Sequence, residues 1–385
     1  MTADPHTVAA TVVPFYSCSA WLQRNWAALQ RRLADVVQSG EFTGGPMAAE
    51  LEAAVQRRTG AAAAVACGSG TDALVMMLRA SGIRPGDEVI VPAYTFFATA
   101  SSVLQVGANP VIVDVLPGSY GMDPEAAEAA VGPRTRALLP AHMFSQMANI
   151  AALAEVADRH GLLLLEDSAE AVGMYQGGRH AGRWGRAGVL SFFPAKTLGA
   201  FGDGGMVITD DERLARRVRR LRRHGTDPDL AASSEIGYNS RLDDVQAAVL
   251  LTRLEGLDEE IEARQRLAAR YTVALASLVP AVQVPWQAPA RVPGNQVWYV
   301  YLIECDRRDG LVEHLTRCGI ETEVYYPLPL NDQPCLARLP GANQPVPVAH
   351  AASRRAVGLP LYPDLSPEHV DLVCHHIRDF LAATP

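Results

Sequence analysis

From residue 63 to residue 209 the chain alternates short apolar runs with segments in which apolar residues recur every three or four positions. Short apolar runs are typical of strands buried in a parallel sheet, and the wider spacing is typical of helices packed against it. The pattern predicts strands at 63–67, 88–92, 110–115, 136–140, 162–166, 188–193 and 206–209. It predicts helices at 21–39, 47–58, 71–81, 97–106, 124–131 and 150–160. This alternation indicates an α/β fold with a mainly parallel sheet and right-handed crossovers.

The pattern changes beyond Gly237. It predicts long helices between 242 and 278, strands at 296–304 and 321–326, and a short helix at 310–318 between them. A last helix is expected to begin at Ser366-Pro367, because serine caps a helix and proline fits its first turn. We therefore expect a large α/β domain over residues 1–255 and a smaller α+β domain over residues 256–385. Residues 288–294 and the proline-rich stretch 327–348 are expected to be surface loops.

The composition narrows the classes of function. The 385 residues suffice for two domains, and 49% hydrophobic with 20% charged residues is ordinary for a globular protein. A net charge of −8 argues against a surface for nucleic acid. Residues 1–16 show neither a basic n-region nor a continuous apolar h-region, so we expect no signal peptide. No apolar stretch reaches the roughly 20 residues of a membrane span. We expect a cytoplasmic protein without nucleic-acid or membrane partners.

Neither cysteine nor histidine spacing predicts a metal site. The six cysteines are scattered without a C-x-x-C pair, which is typical of free thiols in a reducing compartment. His375 and His376 are neighbours in a predicted helix and cannot share one of its faces. We therefore expect no bound metal.

Three segments carry candidate chemistry, and the first is Gly68-Ser-Gly-Thr-Asp-Ala-Leu74, between a predicted strand and a predicted helix. Glycines and a helix N-terminus expose backbone N–H groups, which favours the binding of a phosphate. The segment also fits the dinucleotide fingerprint G-x-G-x-x-A, but the acids at the expected spacing, Asp87 and Glu88, precede a strand instead of following one. A plain tight turn is the third interpretation.

The second segment is the apolar run 162–165 followed by Glu166 and Asp167. Open α/β sheets bind ligands at the carboxyl ends of their strands, where Asp167 would lie. A carboxylate there can pair with a cation or a protonated ring nitrogen. A helix cap is the alternative interpretation.

The third segment carries Lys196, the only lysine in a chain with 33 arginines. A guanidinium does not condense with an aldehyde, whereas a partly buried lysine amine forms a Schiff base. Arginine-rich codon usage or an exposed lysine in a hairpin turn would explain the position without chemistry. Phe192, Phe193 and Leu198 flank the lysine with apolar bulk, which argues against an exposed turn.

Taken together, the three segments match the needs of pyridoxal 5′-phosphate. This cofactor requires an amine for its aldehyde, a carboxylate for its pyridine nitrogen and an anion site for its phosphate. Lys196, Asp167 and the pair Gly70 and Thr71 supply one of each, at the strand ends of one predicted sheet.

The chain resembles the sugar-nucleotide aminotransferases of the DegT/DnrJ/EryC1/StrS family, a branch of the fold-type I aspartate aminotransferase superfamily. The resemblance covers about residues 12–383. It rests on the motif at 68–74 and on five others: Pro92-Ala-Tyr-Thr-Phe96, Glu166-Asp167, Ser191-Phe-Phe-Pro-Ala-Lys196, Gly202-Asp-Gly-Gly205 and Gly237-Tyr-Asn-Ser-Arg-Leu-Asp243.

The resemblance implies roles for individual residues. Lys196 forms the Schiff base with the cofactor, and Asp167 pairs with its pyridine nitrogen. The residues implied as contacts of the phosphate are Gly70, Thr71, Ser191 and, from the neighbouring subunit of a homodimer, Asn239.

Further cofactor and substrate contacts follow from the same resemblance. Phe96 stacks on the cofactor ring. Glu170 stands near the ring oxygen, where many relatives carry Gln or His. His224, Arg241 and Tyr325 fall where relatives line the sugar pocket.

The resemblance also implies the reaction. An amino group passes from L-glutamate, or glutamine, to a nucleotide-linked ketosugar. We expect a dTDP-4-keto-6-deoxyhexose that yields a 4-amino-4,6-dideoxysugar for natural-product glycosylation. The alternatives are a 3-ketosugar or cyclitol substrate, a sugar dehydratase (whose members carry histidine in place of the lysine), a Rossmann-type NAD oxidoreductase and a non-enzymatic regulator that binds the cofactor.

Overall fold

The computed structural model describes residues 13–227, 232–285, 296–337, 339 and 344–383. Its helices are α1 (Ser19–Ser39), α2 (Pro46–Thr59), α3 (Gly70–Ala80), α4 (Ala98–Gln105), α5 (Pro124–Ala129), α6 (Ile150–His160), α7 (Glu212–Leu221), α8 (Asp244–Leu254), α9 (Leu257–Leu275), α10 (Arg308–Arg317), α11 (Pro347–Arg355) and α12 (Pro367–Ala382).

The strands fall into one large sheet, one small sheet and two short hairpins. They are β1 (Ala63–Cys67), β2 (Glu88–Pro92), β3 (Asn109–Val113), β4 (Thr135–Leu138), β5 (Leu163–Asp167), β6 (Tyr175–Gln176), β7 (Arg179–His180), β8 (Ala187–Ser191), β9 (Gly205–Thr209), β10 (Thr226–Asp227), β11 (Ala232–Ser233), β12 (Val282–Gln283), β13 (Tyr301–Cys305) and β14 (Ala356–Leu359).

The large sheet has seven strands in the order β1-β9-β8-β5-β4-β2-β3. All neighbouring pairs are parallel except those of β9, which runs antiparallel to both β1 and β8. The predicted mainly parallel α/β fold is confirmed. Because parallel strands end at one edge, the segments that follow β5 and β8 and the segment before α3 come together there.

A buried carboxylate links two of the helices that pack beside this sheet. The backbone N–H groups of Gly45, Met47 and Ala48, at the start of α2, all donate to the buried carboxylate of Asp244 in α8 at 2.7–3.1 Å. The first N–H groups of a helix have no partner within it, so this carboxylate satisfies them and neutralises part of the helix dipole. Asp244 therefore links α2 to α8.

The region after α9 forms a separate apolar cluster around the antiparallel sheet β12-β13-β14 and the helices α10 and α12. The predicted last helix begins as expected, because the Ser366 hydroxyl accepts from the His369 N–H at 3.2 Å and Pro367 occupies the first turn. The domain boundary at residues 255 and 256 stays a prediction. Among the described residues no helix is both long and apolar enough to span a bilayer.

Two predicted strands of this region need correction. Residues 296–300 do not join the strand that begins at Tyr301, because Val297 and Tyr299 donate their N–H groups to the carbonyls of Ser145 and Phe144 in the large-sheet region. Residues 321–326 make only an isolated bridge between Glu323 and Gly358.

The predicted loops had mixed outcomes. Residues 288–294 lie outside the described residues. The described part of 327–348 contains a short 3₁₀ turn, Leu330–Asp332, and the start of α11.

Candidate active site

A cavity of about 530 Å³ opens at the carboxyl edge of the large sheet. It brings together most of the site residues that were predicted from the sequence. Those that line it are Gly70, Thr71, Phe96, Asp167, Glu170, Ser191, Lys196 and Tyr325.

One end of the cavity is the N-terminus of α3. The Ser69 hydroxyl accepts from the Asp72 N–H at 3.0 Å and caps the helix. A Cβ on Gly70 would lie 3.0 Å from the Cβ of Ser191, at the end of β8, so a side chain there would crowd the junction. The unbonded N–H groups of the first turn, the helix dipole and the Ser191 hydroxyl together make an anion site.

Asp167 occupies the last position of β5 and is 6% exposed. Its Oδ2 atom accepts from the Thr99 hydroxyl at 2.8 Å, and its Oδ1 atom accepts from the Ala169 N–H at 3.2 Å. These contacts orient the carboxylate at the floor of the cavity. The bond to Ala169 resembles that of a helix cap. The helix-cap interpretation therefore describes this one contact but does not explain why Asp167 lines the cavity.

Lys196 lies on the connection between β8 and β9, which are antiparallel neighbours. The hairpin interpretation is correct for the backbone but wrong for exposure, because the lysine side chain is only 14% exposed. A Cβ on Gly199 would overlap the carbonyl of Pro194, so glycine lets this loop fold tightly. Of the flanking aromatic residues, Phe192 is buried and Phe193 is half exposed.

Glu170 holds the lysine amine. The Nζ atom of Lys196 donates to Oε1 of Glu170 at 3.0 Å and lies 4.3 Å from the centre of the Tyr299 ring. The second carboxylate oxygen accepts from the Phe144 N–H at 2.7 Å. The carboxylate is therefore fixed between the lysine and a backbone donor, and the aromatic ring adds a cation–π contact.

Three tyrosines from the region after α9 also line the cavity, and we call them the aromatic wall: Tyr299, Tyr325 and Tyr326. Burial is the largest cause that raises the pKa of all three phenols, and the charge of Glu170 raises each further. The hydroxyls therefore remain protonated at physiological pH and available as hydrogen-bond donors. Those of Tyr299 and Tyr325 are hydrogen-bonded to each other.

Three predicted residues lie elsewhere. In the described part of the chain, the cavity lining does not include Asn239, Arg241 or His224. Asn239 is exposed and accepts from the Arg241 guanidinium at 2.9 Å. His224 is exposed and has a left-handed backbone conformation, with φ of 61°.

The functional groups that line the cavity fit pyridoxal phosphate. A partly buried amine, a buried and oriented carboxylate and a helix N-terminus beside a hydroxyl face one cavity. They meet the requirements of an aldehyde, a pyridine nitrogen and a phosphate, respectively.

Comparison with known proteins supports the same conclusion. Residues 25–378 match the family model described as the DegT/DnrJ/EryC1/StrS aminotransferase family. The chain belongs to that family. It is an aminotransferase with the fold-type I architecture, and the Rossmann oxidoreductase alternative is wrong.

Two curated relatives and one solved structure are highly similar across almost their whole length. The chain is 41% identical to a pleiotropic regulatory protein of Geobacillus stearothermophilus, covering 96% of this chain and 98% of that one. It is 39% identical to a dTDP-3-amino-3,4,6-trideoxy-alpha-D-glucose transaminase of Streptomyces venezuelae, covering 96% of both. The crystal structure of S. venezuelae DesV matches with a TM-score of 0.90 and 39% identity, covering 97% of this chain and 99% of that one.

Sequence reasoning missed the cavity residues His142, Tyr299 and Glu323. It also missed Thr99, which is buried behind the lining and donates to the Asp167 carboxylate. Thr99 lies in the first turn of α4, where it is one turn from Phe96, so helical periodicity could have found it. His142, Tyr299 and Glu323 reach the cavity through tertiary packing, and no local pattern indicates that.

Proposed function

We propose that this aminotransferase moves the amino group of L-glutamate to a nucleotide-linked ketosugar, with pyridoxal 5′-phosphate as cofactor. One observation carries the proposal. The amine of the only lysine opens onto the same cavity as the buried Asp167 carboxylate and the N-terminus of α3.

The residues that would hold the cofactor follow from their positions. Gly70 and Thr71 would bind the phosphate through backbone N–H groups, and Ser191 would bind it through its hydroxyl. Asp167 would pair with the protonated ring nitrogen, and Phe96 would cover one ring face. When bound, pyridoxal phosphate supplies an aldehyde that condenses with amines and a ring that accepts electrons from the reacting carbon.

Lys196 would carry the proton transfers. Its Nζ atom takes the proton from Cα of glutamate, and in the second half of the reaction it returns a proton to the sugar carbon that receives nitrogen. General acid–base catalysis by one positioned group contributes about 10²–10⁴-fold. Glu170, at 3.0 Å, and the Tyr299 ring keep the amine inside the cavity whenever it is not covalently linked.

A second part of the proposal concerns the identity of the ketosugar substrate. We expect a dTDP-4-keto-6-deoxyhexose, which would become a 4-amino-4,6-dideoxysugar. A 3-ketosugar substrate is supported equally well, because the name of the Streptomyces relative specifies a 3-amino sugar. A cyclitol is a further alternative. Incubation with glutamate and a matched panel of 3-keto and 4-keto dTDP-sugars, followed by mass spectrometry and NMR of the product, distinguishes them.

The active form is proposed to be a homodimer. Phe42, Phe201 and Val245 are exposed apolar side chains around the start of α8. They are neighbours, because Asp244 donates its N–H to the carbonyl of Phe42, and the Phe201 N–H bonds the side chain of Gln246. An exposed apolar patch of this kind marks an interaction surface.

The dimer would also explain the predicted site residues that do not line the cavity of their own chain, Asn239, Arg241 and His224. Asn239 and Arg241 lie on the segment that precedes α8, beside this patch. Across a two-fold axis, Asn239 would reach the phosphate site of the neighbouring subunit, with Arg241 and His224 beside the sugar nucleotide. The cytoplasmic location expected from the sequence stays a prediction.

A glutamate-dependent assay tests the function as a whole. Adding glutamate to the cofactor-loaded protein should diminish its visible absorbance and release 2-oxoglutarate, and a ketosugar should restore the absorbance. The name of the Geobacillus relative suggests a regulator as the alternative. A regulator that only binds the cofactor would release no 2-oxoglutarate. That outcome would overturn the proposal.

A further inference from the structure

Two helices of the C-terminal region bring together three side chains that bind soft and borderline metals. His314 lies on α10, Cys318 follows as its C-cap residue, and His376 lies on α12. One ligand atom from each lies within 4.8 Å of the others, and all three residues are partly buried. In the described part of the chain, none of the three lines the catalytic cavity.

Helix geometry explains how the group forms. His314 and Cys318 are four residues apart, so they project from the same face of α10, with 3.9 Å between Sγ and Nε2. The His376 ring packs at 5.9 Å from the His314 ring. The Nε2 atom of His375, its neighbour in sequence, lies 3.2 Å from the Asp379 carboxylate. The expectation of no metal rested on the spacing of the cysteines and on the two adjacent histidines, and it did not consider ligands from two different helices.

The separations are close to those of a zinc site. Three atoms no more than 4.8 Å apart share a point about 2.8 Å from each at most, which is 4.8 Å divided by the square root of three. Zinc bonds are roughly 2.0–2.1 Å to nitrogen and 2.3 Å to sulfur. Each ligand atom would therefore move inward by less than about 1 Å, which small side-chain rotations allow.

We propose that His314, Cys318 and His376 bind one Zn²⁺ ion per chain. Two imidazoles and a thiolate form a ligand set suited to zinc, and a water molecule would complete the tetrahedron. The thiol proton passes to solvent when the metal binds. The ion would tie α10 to α12 and stabilise the C-terminal region without taking part in amino transfer.

Titration of the chelator-treated holoenzyme with zinc chloride tests the site, with calorimetry as the readout. The wild type should bind one Zn²⁺ per chain, and its melting temperature should rise as zinc is added, because a ligand of the folded state stabilises that state. Cys318→Ser and His376→Asn should each weaken binding by at least about 100-fold, since even outer partners of metal ligands are worth roughly 10–100-fold.

Matched controls use the same residue types outside the group. Cys335→Ser removes an exposed thiol, and His375→Asn removes the adjacent imidazole; both should bind zinc as the wild type does. Amino transfer by Cys318→Ser should remain at the wild-type rate.

A cobalt difference spectrum of the same holoenzyme gives a second readout that does not depend on a variant folding. Co²⁺ should produce a thiolate-to-metal charge-transfer band in the wild type. The site does not exist if the wild type binds no zinc and shows no cobalt band. It is assigned to the wrong residues if the Cys318 and His376 variants bind like the wild type, or if either control variant loses binding.

Discussion

The two walls of the catalytic cavity differ in origin and in chemistry. The sheet wall carries Asp167, Ser191 and Lys196 at or just after strand ends, together with the N-terminus of α3. The aromatic wall, Tyr299, Tyr325 and Tyr326, comes from the region after α9 and consists of phenols that burial keeps protonated. We therefore propose that the sheet wall carries out the reaction and that the aromatic wall shapes the substrate pocket.

The largest expected effect is at Lys196. Lys196→Ala should lower amino transfer by at least about 10⁴-fold, because it removes both the covalent link and the general base. Lys196→Arg keeps the positive charge and should fail equally, since a guanidinium does not condense with an aldehyde. Single-turnover assays with glutamate measure both variants. Substantial activity in the arginine variant would mean that the amine is not the reacting group.

Asp167 should come next. Asp167→Asn keeps the shape and removes the charge, and we expect the turnover number to fall by about 10²–10³-fold, the usual cost of losing one preorganised electrostatic contact. Thr99→Val removes only the hydroxyl that orients this carboxylate, so its effect should be smaller, about tenfold or somewhat more. A larger loss of turnover in Thr99→Val than in Asp167→Asn would show that the threonine does more than orient the aspartate.

A third prediction concerns the proposed partner subunit. Phe201→Glu places a charge on the exposed apolar patch and should convert the proposed dimer to single chains with loss of most activity. Val273→Glu, on an equally apolar but remote position of α9 that is 79% exposed, is the matched control. Light scattering coupled to size exclusion measures the mass. A Phe201→Glu variant that stays dimeric and active would place the interface elsewhere.

The smallest effects should come from the aromatic wall. Tyr299→Phe and Tyr325→Phe each remove one hydroxyl, and we expect a loss of about two- to tenfold in kcat/KM, mainly through a higher KM for the sugar nucleotide. Tyr175→Phe removes a hydroxyl that donates to the Arg58 carbonyl outside the cavity, and its KM should not change. A lower rate of the half-reaction with glutamate alone would show that these hydroxyls take part in the chemical step, which would contradict this prediction.

The same division explains what the sequence could predict. The strands of the sheet wall are encoded locally as apolar runs that lead to Asp167 and Ser191. Their ends are less well encoded, because the strand predicted at 188–193 ends at Ser191 and Asp167 is itself the last residue of β5. The strands predicted at 63–67, 88–92 and 206–209 are confirmed, apart from one residue at the start of the last. The roles proposed for the site residues stay predictions.

The aromatic wall is not encoded in this way. The segment 321–326 was predicted as a strand, yet it makes only one isolated bridge to the small sheet, and its Tyr325 and Tyr326 line the cavity. The small sheet also contains β14, a short apolar run directly after α11 that was not predicted as a strand. Tertiary packing overrides the local preference of residues 321–326.

Borohydride reduction of the cofactor-loaded protein, followed by peptide mapping, tests the central claim most directly. The single lysine makes the result unambiguous, because the only other primary amine of the chain is its N-terminus. The account predicts one reduced pyridoxyl group per chain on the peptide that contains Lys196. Absence of the label after reconstitution, or a label confined to the N-terminal peptide, would contradict it.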